Sequence, residues 1–400
     1  MKIKEIPVLL LTGYLGSGKT TLVNRILTNK KGIKFAVIVN DIGEINIDAD
    51  LIEKGGIVGK KEESLVALQN GCICCTLKMD LIEQLRDITR LKKFDYIVIE
   101  ASGICEPEPI AQTICSIPTM GLEYVKDGMV RLDCIVTVVD ALRMKSDFGG
   151  GNDLLKSNIE EEDIENLVIQ QIEFCNIVLL NKASEVEREE LSRIHQIIRS
   201  LQPKAQIIEC DYGEVNLDTI LDTHLFDFNE VASSATWIAE LEKHHDEDVD
   251  EDEDEHHHHD EGEHHHHHHH HHDGGEVEEY GIGTYVYYRR PPMDLGRFDE
   301  FVARKWPKNV IRAKGICYFD DEQEICYLFE QAGKQLSIKN AGQWYATMPA
   351  DELRQLLDRE PGLRRDWDER YGDRMQKIVF IGQHLDKKAI AEELDKCLVE

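Results

Sequence analysis

Six short apolar runs, rich in β-branched residues, recur through the first half of the chain at 8–11, 35–39, 94–99, 132–139, 177–180 and 205–208. Apolar residues fill consecutive positions in these runs, the pattern of strands buried on both faces. Between them the period changes. Residues 20–27 suit a helix, and Leu81, Leu85 and Ile88 recur at i, i+4 and i+7, giving a helix with one apolar face. Strands alternating with helices predict an α/β domain with a mostly parallel sheet covered on both sides, over residues 1–230. After a break the pattern resumes with shorter, aromatic-rich strands at 284–288, 310–318, 325–329 and 377–381. Amphipathic helices are marked by Leu295, Phe298 and Val302, with Asp294 as a cap, and by Ile390, Leu394 and Cys397. These predict a smaller α+β domain over 280–400.

The intervening stretch, 231–279, changes the picture through its composition. Residues 244–279 hold 16 of the acidic residues, no Lys or Arg, and 15 of the 18 histidines. So little apolar surface cannot offset the entropy of ordering, and a disordered linker is expected there. The same residues account for much of the net charge of −31, leaving −15 on the remainder. A moderately acidic body has no general attraction for nucleic acid or anionic lipid, so neither is an expected partner. No run approaches the roughly 18 apolar residues of a membrane span. The first strand begins at once, with no room for a signal peptide. Eleven cysteines in 400 residues are too sparse for a disulfide scaffold. A cytoplasmic location with reduced thiols is the expectation.

The chemistry is concentrated at strand ends. Gly13-Tyr14-Leu15-Gly16-Ser17-Gly18-Lys19-Thr20 follows the first strand and opens a helix, with the spacing of a phosphate-binding P-loop. Glycines allow backbone N–H groups to wrap phosphate oxygens, and the helix N-terminus adds partial positive charge. Lys19 is expected to reach the β- and γ-phosphates and Thr20 to place its hydroxyl on Mg²⁺. The second strand ends in Asn40-Asp41-Ile42-Gly43-Glu44, the third in Glu100-Ala101-Ser102-Gly103, and the fifth in Asn181-Lys182-Ala183-Ser184. Polar residues at the carboxyl ends of parallel strands lie where open α/β sheets build their sites. Glu100 stands where such proteins keep a metal- or water-orienting acid.

A second signal is Asn70-Gly71-Cys72-Ile73-Cys74-Cys75. Thiolates are soft ligands for Zn²⁺ or Cu(I) and also take Co²⁺ or Ni²⁺. Two or three local thiolates fall short of the four closed ligands of a structural zinc site, which suits an open or transferable site completed by Glu44 or a tail histidine. The other cysteines are scattered singly and are expected to pack. The histidine run has the capacity to bind divalent ions multivalently.

Together these residues resemble the CobW-type metallochaperone GTPases, relatives of the GTPases that insert nickel into hydrogenase and urease. The resemblance rests on the P-loop, the cysteine motif, and Glu100-Ala101-Ser102-Gly103 leading to Pro107. In the second domain it rests on Arg312-Ala313-Lys314-Gly315, Gly372-Asp373-Arg374 and Phe380-Ile381-Gly382-Gln383. It implies a GTPase whose nucleotide state opens and closes a metal site formed by Cys72, Cys74, Cys75 and the switch residue Glu44. It further implies phosphate binding by Gly13, Gly16, Ser17, Gly18, Lys19, Thr20 and Thr21, and guanine recognition by Asn181 and Lys182. Lys19, Asp41 and Glu100 would serve catalysis. GTP, Mg²⁺ and Zn²⁺ (alternatively Co²⁺ or Ni²⁺) are the implied cofactors. A metal-requiring client protein is the implied partner, and a homodimer is left open. Two departures stand out. Asp41 occupies a position where the family more often has Glu, and Ser184 stands where the guanine motif N-K-x-D ends in a carboxylate, with Glu185 one place later. A metal buffer built on the histidine run, with incidental nucleotide turnover, is the alternative reading, and a small-molecule kinase is a third.

Overall fold

A computed structural model describes residues 4–28, 32–39, 78–148, 159–242, 281–332, 335–365 and 367–399. They divide into two compact units, residues 1–236 with 331–336 and residues 237–330 with 337–400. In the first unit β1 (Glu5–Thr12) leads into α1 (Lys19–Leu27), then β2 (Phe35–Val39), α2 (Lys78–Leu91), β3 (Tyr96–Glu100) and α3 (Pro107–Ser116). The chain continues through β4 (Met129–Asp140), α4 (Ala141–Phe148), α5 (Ile159–Glu173), β5 (Ile177–Asn181), α6 (Arg188–Leu201) and β6 (Gln206–Glu209). The strands form one six-stranded sheet in the order β2-β3-β1-β4-β5-β6, with every adjacent pair parallel.

The continuous apolar runs explain this sheet. Every residue of β2, β3 and β5 is buried, as is nearly all of β1, so helices must cover both faces. One layer packs Leu22, Val23 and Ile26 of α1 onto Leu9, Val37 and Val136. Register then levels the strand ends: Leu11 and Val39 both pair with Glu100, Thr12 with Thr137, and Asp140 with Asn181. The residues that follow these positions emerge together along one edge of the sheet.

The second unit begins with α7 (Thr236–Glu242) and contains β7 (Ile282–Arg289), α8 (Leu295–Arg304), β8 (Val310–Cys317), β9 (Ile325–Ala332), β10 (Gln335–Gln343), α9 (Ala350–Arg359), β11 (Gln376–Gln383) and α10 (Lys387–Asp395). Its five-stranded sheet runs β10-β9-β8-β11-β7, with β11 antiparallel to both β7 and β8. Asp294 caps α8 as expected, its Oδ1 accepting the Arg297 N–H at 2.8 Å. Phe298 and Phe301 from that helix anchor an aromatic core with Phe319, Phe329 and Phe380.

Two differences from the sequence reading have physical causes. The linker was expected from 231, yet α7 lies inside that stretch. There the Lys314 ammonium sits 4.1 Å from the centre of the Trp237 ring, and Lys377 Nζ donates to Leu241 O at 2.8 Å, holding a short helix just ahead of the acidic, histidine-rich residues 244–279. Strand β10 was not anticipated because Gln335–Gln343 is polar apart from Leu336, Ile338 and Ala341, so its residues show no buried-strand pattern.

Strands β8 and β9 are joined by a buried ion cluster. Glu330 accepts from Arg312 at 2.7 Å and lies 3.0 Å from Lys314 Nζ; Arg312 is fully buried and Glu330 nearly so. Burial alone would raise the Glu330 carboxyl, but the two cations and their hydrogen bonds outweigh it and hold it down from 4.5 to about 2. A lowered folded value contributes stability that is present above the unfolded value and lost as pH falls through the folded one. Glu330→Gln is therefore expected to cost the second unit about 3 kcal/mol at neutral pH. In thermal melts the gap between wild type and variant should narrow between about pH 5 and about pH 2. A gap independent of pH would rule out the ion cluster as its cause.

Candidate nucleotide site

The site starts at the end of β1, where three glycines take left-handed backbone angles: Gly13 at φ 134°, Gly16 at 76° and Gly18 at 110°. At two of them space is also closed to a side chain. A Cβ on Gly13 would lie 2.3 Å from the carbonyl oxygen of Val138, and one on Gly18 would lie 2.4 Å from Asn181 Nδ2. The loop thus turns tightly enough to aim its N–H groups inward before α1 begins. Lys19 folds back over it, donating to Gly13 O at 2.7 Å and Tyr14 O at 3.2 Å. Ser17 Oγ is buried and makes no hydrogen bond among the described residues. An orphaned buried hydroxyl in a glycine cradle fits a phosphate oxygen as its missing partner. Thr21, next along α1, is exposed.

Glu100, buried at the end of β3, accepts a 2.8 Å hydrogen bond from Thr20 Oγ1. A hydroxyl and a carboxylate side by side are hard oxygen donors of the kind Mg²⁺ takes beside a phosphate chain, so these two residues fit that ion. The segment after Glu100 is held against the P-loop. Ala101 N–H donates to Leu11 O at 2.9 Å, and Gly103 leaves no room for a Cβ, which would come 2.7 Å from Leu15 N. Glutamine 171 ties the same segment to α5, its Nε2 donating to Cys105 O at 3.1 Å.

The end of β5 closes the other side. Asn181 is buried, and its Nδ2 donates to Ser17 O at 2.8 Å while its Oδ1 accepts from Gly213 N–H at 3.1 Å. One carboxamide therefore links the phosphate loop to the segments that follow β5 and β6. Lys182 adopts a left-handed turn at φ 59° and pairs with Asp140 at 2.5 Å. Asp140 in turn caps α4 by accepting from Leu142 N–H at 3.0 Å and Arg143 N–H at 3.2 Å.

The structure thus brings Gly13, Gly16, Ser17, Gly18, Lys19, Thr20, Glu100, Asn181 and Lys182 to one edge of the sheet. Asp41, Glu44, Cys72, Cys74 and Cys75 lie outside the described residues. Among the described residues no group of three or more His, Cys, Asp or Glu side chains is placed to hold a metal. The remaining cysteines are mostly buried, and burial raises the thiols of Cys134 and Cys175 to about 12, which suits packing rather than ligation. Cys115 is the exposed exception. No helix among the described residues is long and apolar enough to cross a membrane. Sequence reasoning missed Asp211, a carboxylate bound to Ser184. No signal in the sequence pointed to it, because the contact exists only through the pairing of β5 with β6.

Residues 7–209 match the family pattern described as the CobW/HypB/UreG nucleotide-binding domain. The chain belongs to the CobW/HypB/UreG family of P-loop GTPases. Residues 282–398 match the cobalamin synthesis protein cobW C-terminal domain, so the pattern extends to the second unit. The chain is 33% identical over 411 residues to zinc-regulated GTPase metalloprotein activator 1 of Dictyostelium discoideum, covering 99% of this chain and 80% of that protein. It is 30% identical over 388 residues to the protein of the same name from Schizosaccharomyces pombe, covering 96% and 84%. It is 29% identical over 409 residues to the zinc chaperone CobW of Pseudomonas aeruginosa, covering 99% and 92%.

The two hydrogen bonds of Asn181 make it a tether whose effect can be measured. Asn181→Ala removes the bond to Ser17 O and the acceptor for Gly213 N–H, so the P-loop loses its brace. Affinity for GDP, read by calorimetry, is expected to fall about tenfold or more. Unchanged affinity would show that the loop holds its shape without this side chain.

Proposed function

We propose that this chain is a GTP-hydrolysing metal chaperone, which carries Zn²⁺ on Cys72, Cys74, Cys75 and Glu44 and passes it to a client protein. The observation that carries the reading is the join between β2 and the nucleotide site. Val39, the last residue of β2, pairs with Glu100, and Glu100 bonds Thr20. The connection from β2 to α2 contains Asp41, Glu44 and the cysteine motif, and in sequence it follows directly on Val39. The names of the relatives, zinc chaperone and zinc-regulated metalloprotein activator, support zinc as the cargo. Co²⁺ and Ni²⁺ remain chemically competent on the same thiolates. Thiolate ligands need a reducing compartment, and we assign the protein to the cytoplasm.

In this reading water attacks the γ-phosphorus of GTP, the bond to the β–γ bridging oxygen breaks, and GDP and inorganic phosphate form. Lys19 swings from Gly13 O and Tyr14 O to the phosphates and compensates charge growing on the bridging oxygen. Thr20 and Glu100 hold Mg²⁺, which supplies positive charge to the β- and γ-phosphates. Asp41 orients the attacking water. Asn181 keeps the P-loop fixed while Lys182 and its neighbours meet the base. Because Asp41 and Glu44 share one connection with the cysteines, γ-phosphate contact and metal affinity are coupled, and hydrolysis weakens the hold on zinc. The second unit presents the surface for the client or for a second copy of the chain.

The histidine run favours one further reading, in which 15 histidines buffer metal and turnover is incidental. Zn²⁺ competition titrations against a chelator separate the two, using the full chain loaded with GDP or with a non-hydrolysable GTP analogue. The chaperone reading expects one tight ion per chain, lost in Cys74→Ala, with affinity differing more than about tenfold (about 1.4 kcal/mol) between nucleotides. Many weak ions with no dependence on nucleotide would support the buffer.

A further inference from the structure

The fourth position of the guanine motif in this chain is Ser184, which cannot supply the carboxylate that such a motif offers to the base. The structure places another carboxylate at that position. Strands β5 and β6 pair in register, Leu180 beside Glu209, so residues 181–184 and 210–213 leave the sheet side by side. Backbone bonds hold the two segments together: Cys210 N–H donates to Leu180 O at 2.9 Å, and Ala183 N–H to Cys210 O at 3.2 Å. Asp211 then points at the serine. Its Oδ1 accepts from Ser184 N–H at 3.0 Å and from Ser184 Oγ at 2.9 Å. Its Oδ2 makes no hydrogen bond among the described residues. The next glycine, Gly213, is bonded to Asn181, the residue that holds the P-loop.

Other nearby acids do not match this placement. Both oxygens of Asp140 are engaged, one by Lys182 and one by the N-terminus of α4. Glu185 is exposed, and its side chain makes no hydrogen bond among the described residues, so nothing holds it toward the other strand-end segments.

We propose that Asp211, presented by the segment after β6 and oriented by Ser184, is the residue that selects guanine over adenine. The assignment rests on the guanine-nucleotide reading above. The segment after β6 supplies the carboxylate that the segment after β5 lacks, and the Ser184–Asp211 pair offers the base the same chemistry. Guanine presents N1–H and the 2-amino group, two adjacent donors for the two lone pairs left on Asp211 Oδ2, Oδ1 being taken by Ser184. Adenine has an acceptor at N1 and no 2-amino group, so it leaves the carboxylate unpaired and is rejected. Asp211 specifies the base, and Ser184 is its positioning residue.

Calorimetric titration of the full chain with GDP, ADP and XDP tests the assignment. Wild type is expected to prefer GDP over ADP and XDP. Asp211→Asn should lose about 10- to 100-fold in GDP affinity and gain affinity for XDP. Xanthine has an oxygen where guanine has the 2-amino group, and the asparagine amide donates to it. This gain cannot come from a misfolded protein. Glu185→Gln should bind GDP and XDP as wild type does, and Ser184→Ala should lose part of the GDP preference without gaining XDP. A GDP preference that survives intact in Asp211→Asn would overturn the assignment alone. A wild type that binds ADP as well as GDP would overturn the guanine reading and the assignment with it.

Discussion

Parallel pairing that levels the carboxyl ends of β1 to β5 is the constraint on which the nucleotide site depends. Because Leu11, Val39 and Glu100 share one level of the sheet, and Asp140 and Asn181 share another pairing, the segments that follow them emerge as neighbours. Both faces of these runs are buried and apolar, so the polar residues that stop each run, together with the helices packed on either side, mark where the strand ends stand. The P-loop then needs only local geometry, three left-handed glycines, to complete a phosphate cradle. Thr20 to Glu100 and Asn181 to Ser17 are the two side-chain bonds that convert neighbouring segments into one site.

The phosphate half of that site was legible because its chemistry is local in sequence. Eight consecutive residues carry the glycines, the lysine and the hydroxyl, and the strand before them and helix after them are visible in the periodicity. Glu100 was legible for a similar reason, as the first charged residue after a buried run. The base half was only partly so. Asn181 and Lys182 form a recognisable pair, but the bond between Ser184 and Asp211 spans 27 positions and exists only because β5 and β6 are adjacent. No composition or spacing rule announces such a contact. The cysteine motif is the opposite case, since its signal in sequence is strong and it lies outside the described residues.

In the second unit the motifs that suggested the family prove to be structural. Arg312 and Lys314 hold Glu330 between β8 and β9, and Gly315 lets β11 approach so closely that a Cβ would lie 2.1 Å from Lys377 O. Asp373 accepts from the N–H groups of Tyr345 and Ala346, both at 2.8 Å, pinning the turn after β10. These residues shape a rigid sheet with an aromatic core rather than a reaction centre. The residues of the nucleotide site thus all lie in the first unit.

The central claim is that four segments from separate strand ends act as one nucleotide site. Hydrogen exchange of the full chain, with and without Mg²⁺ and GDP, reads it most directly. The account predicts that GDP slows exchange together in residues 13–20, 100–103, 181–184 and 210–213, with ADP giving far weaker protection at the same concentration. Protection confined to 13–20, or equal protection by ADP, would contradict it.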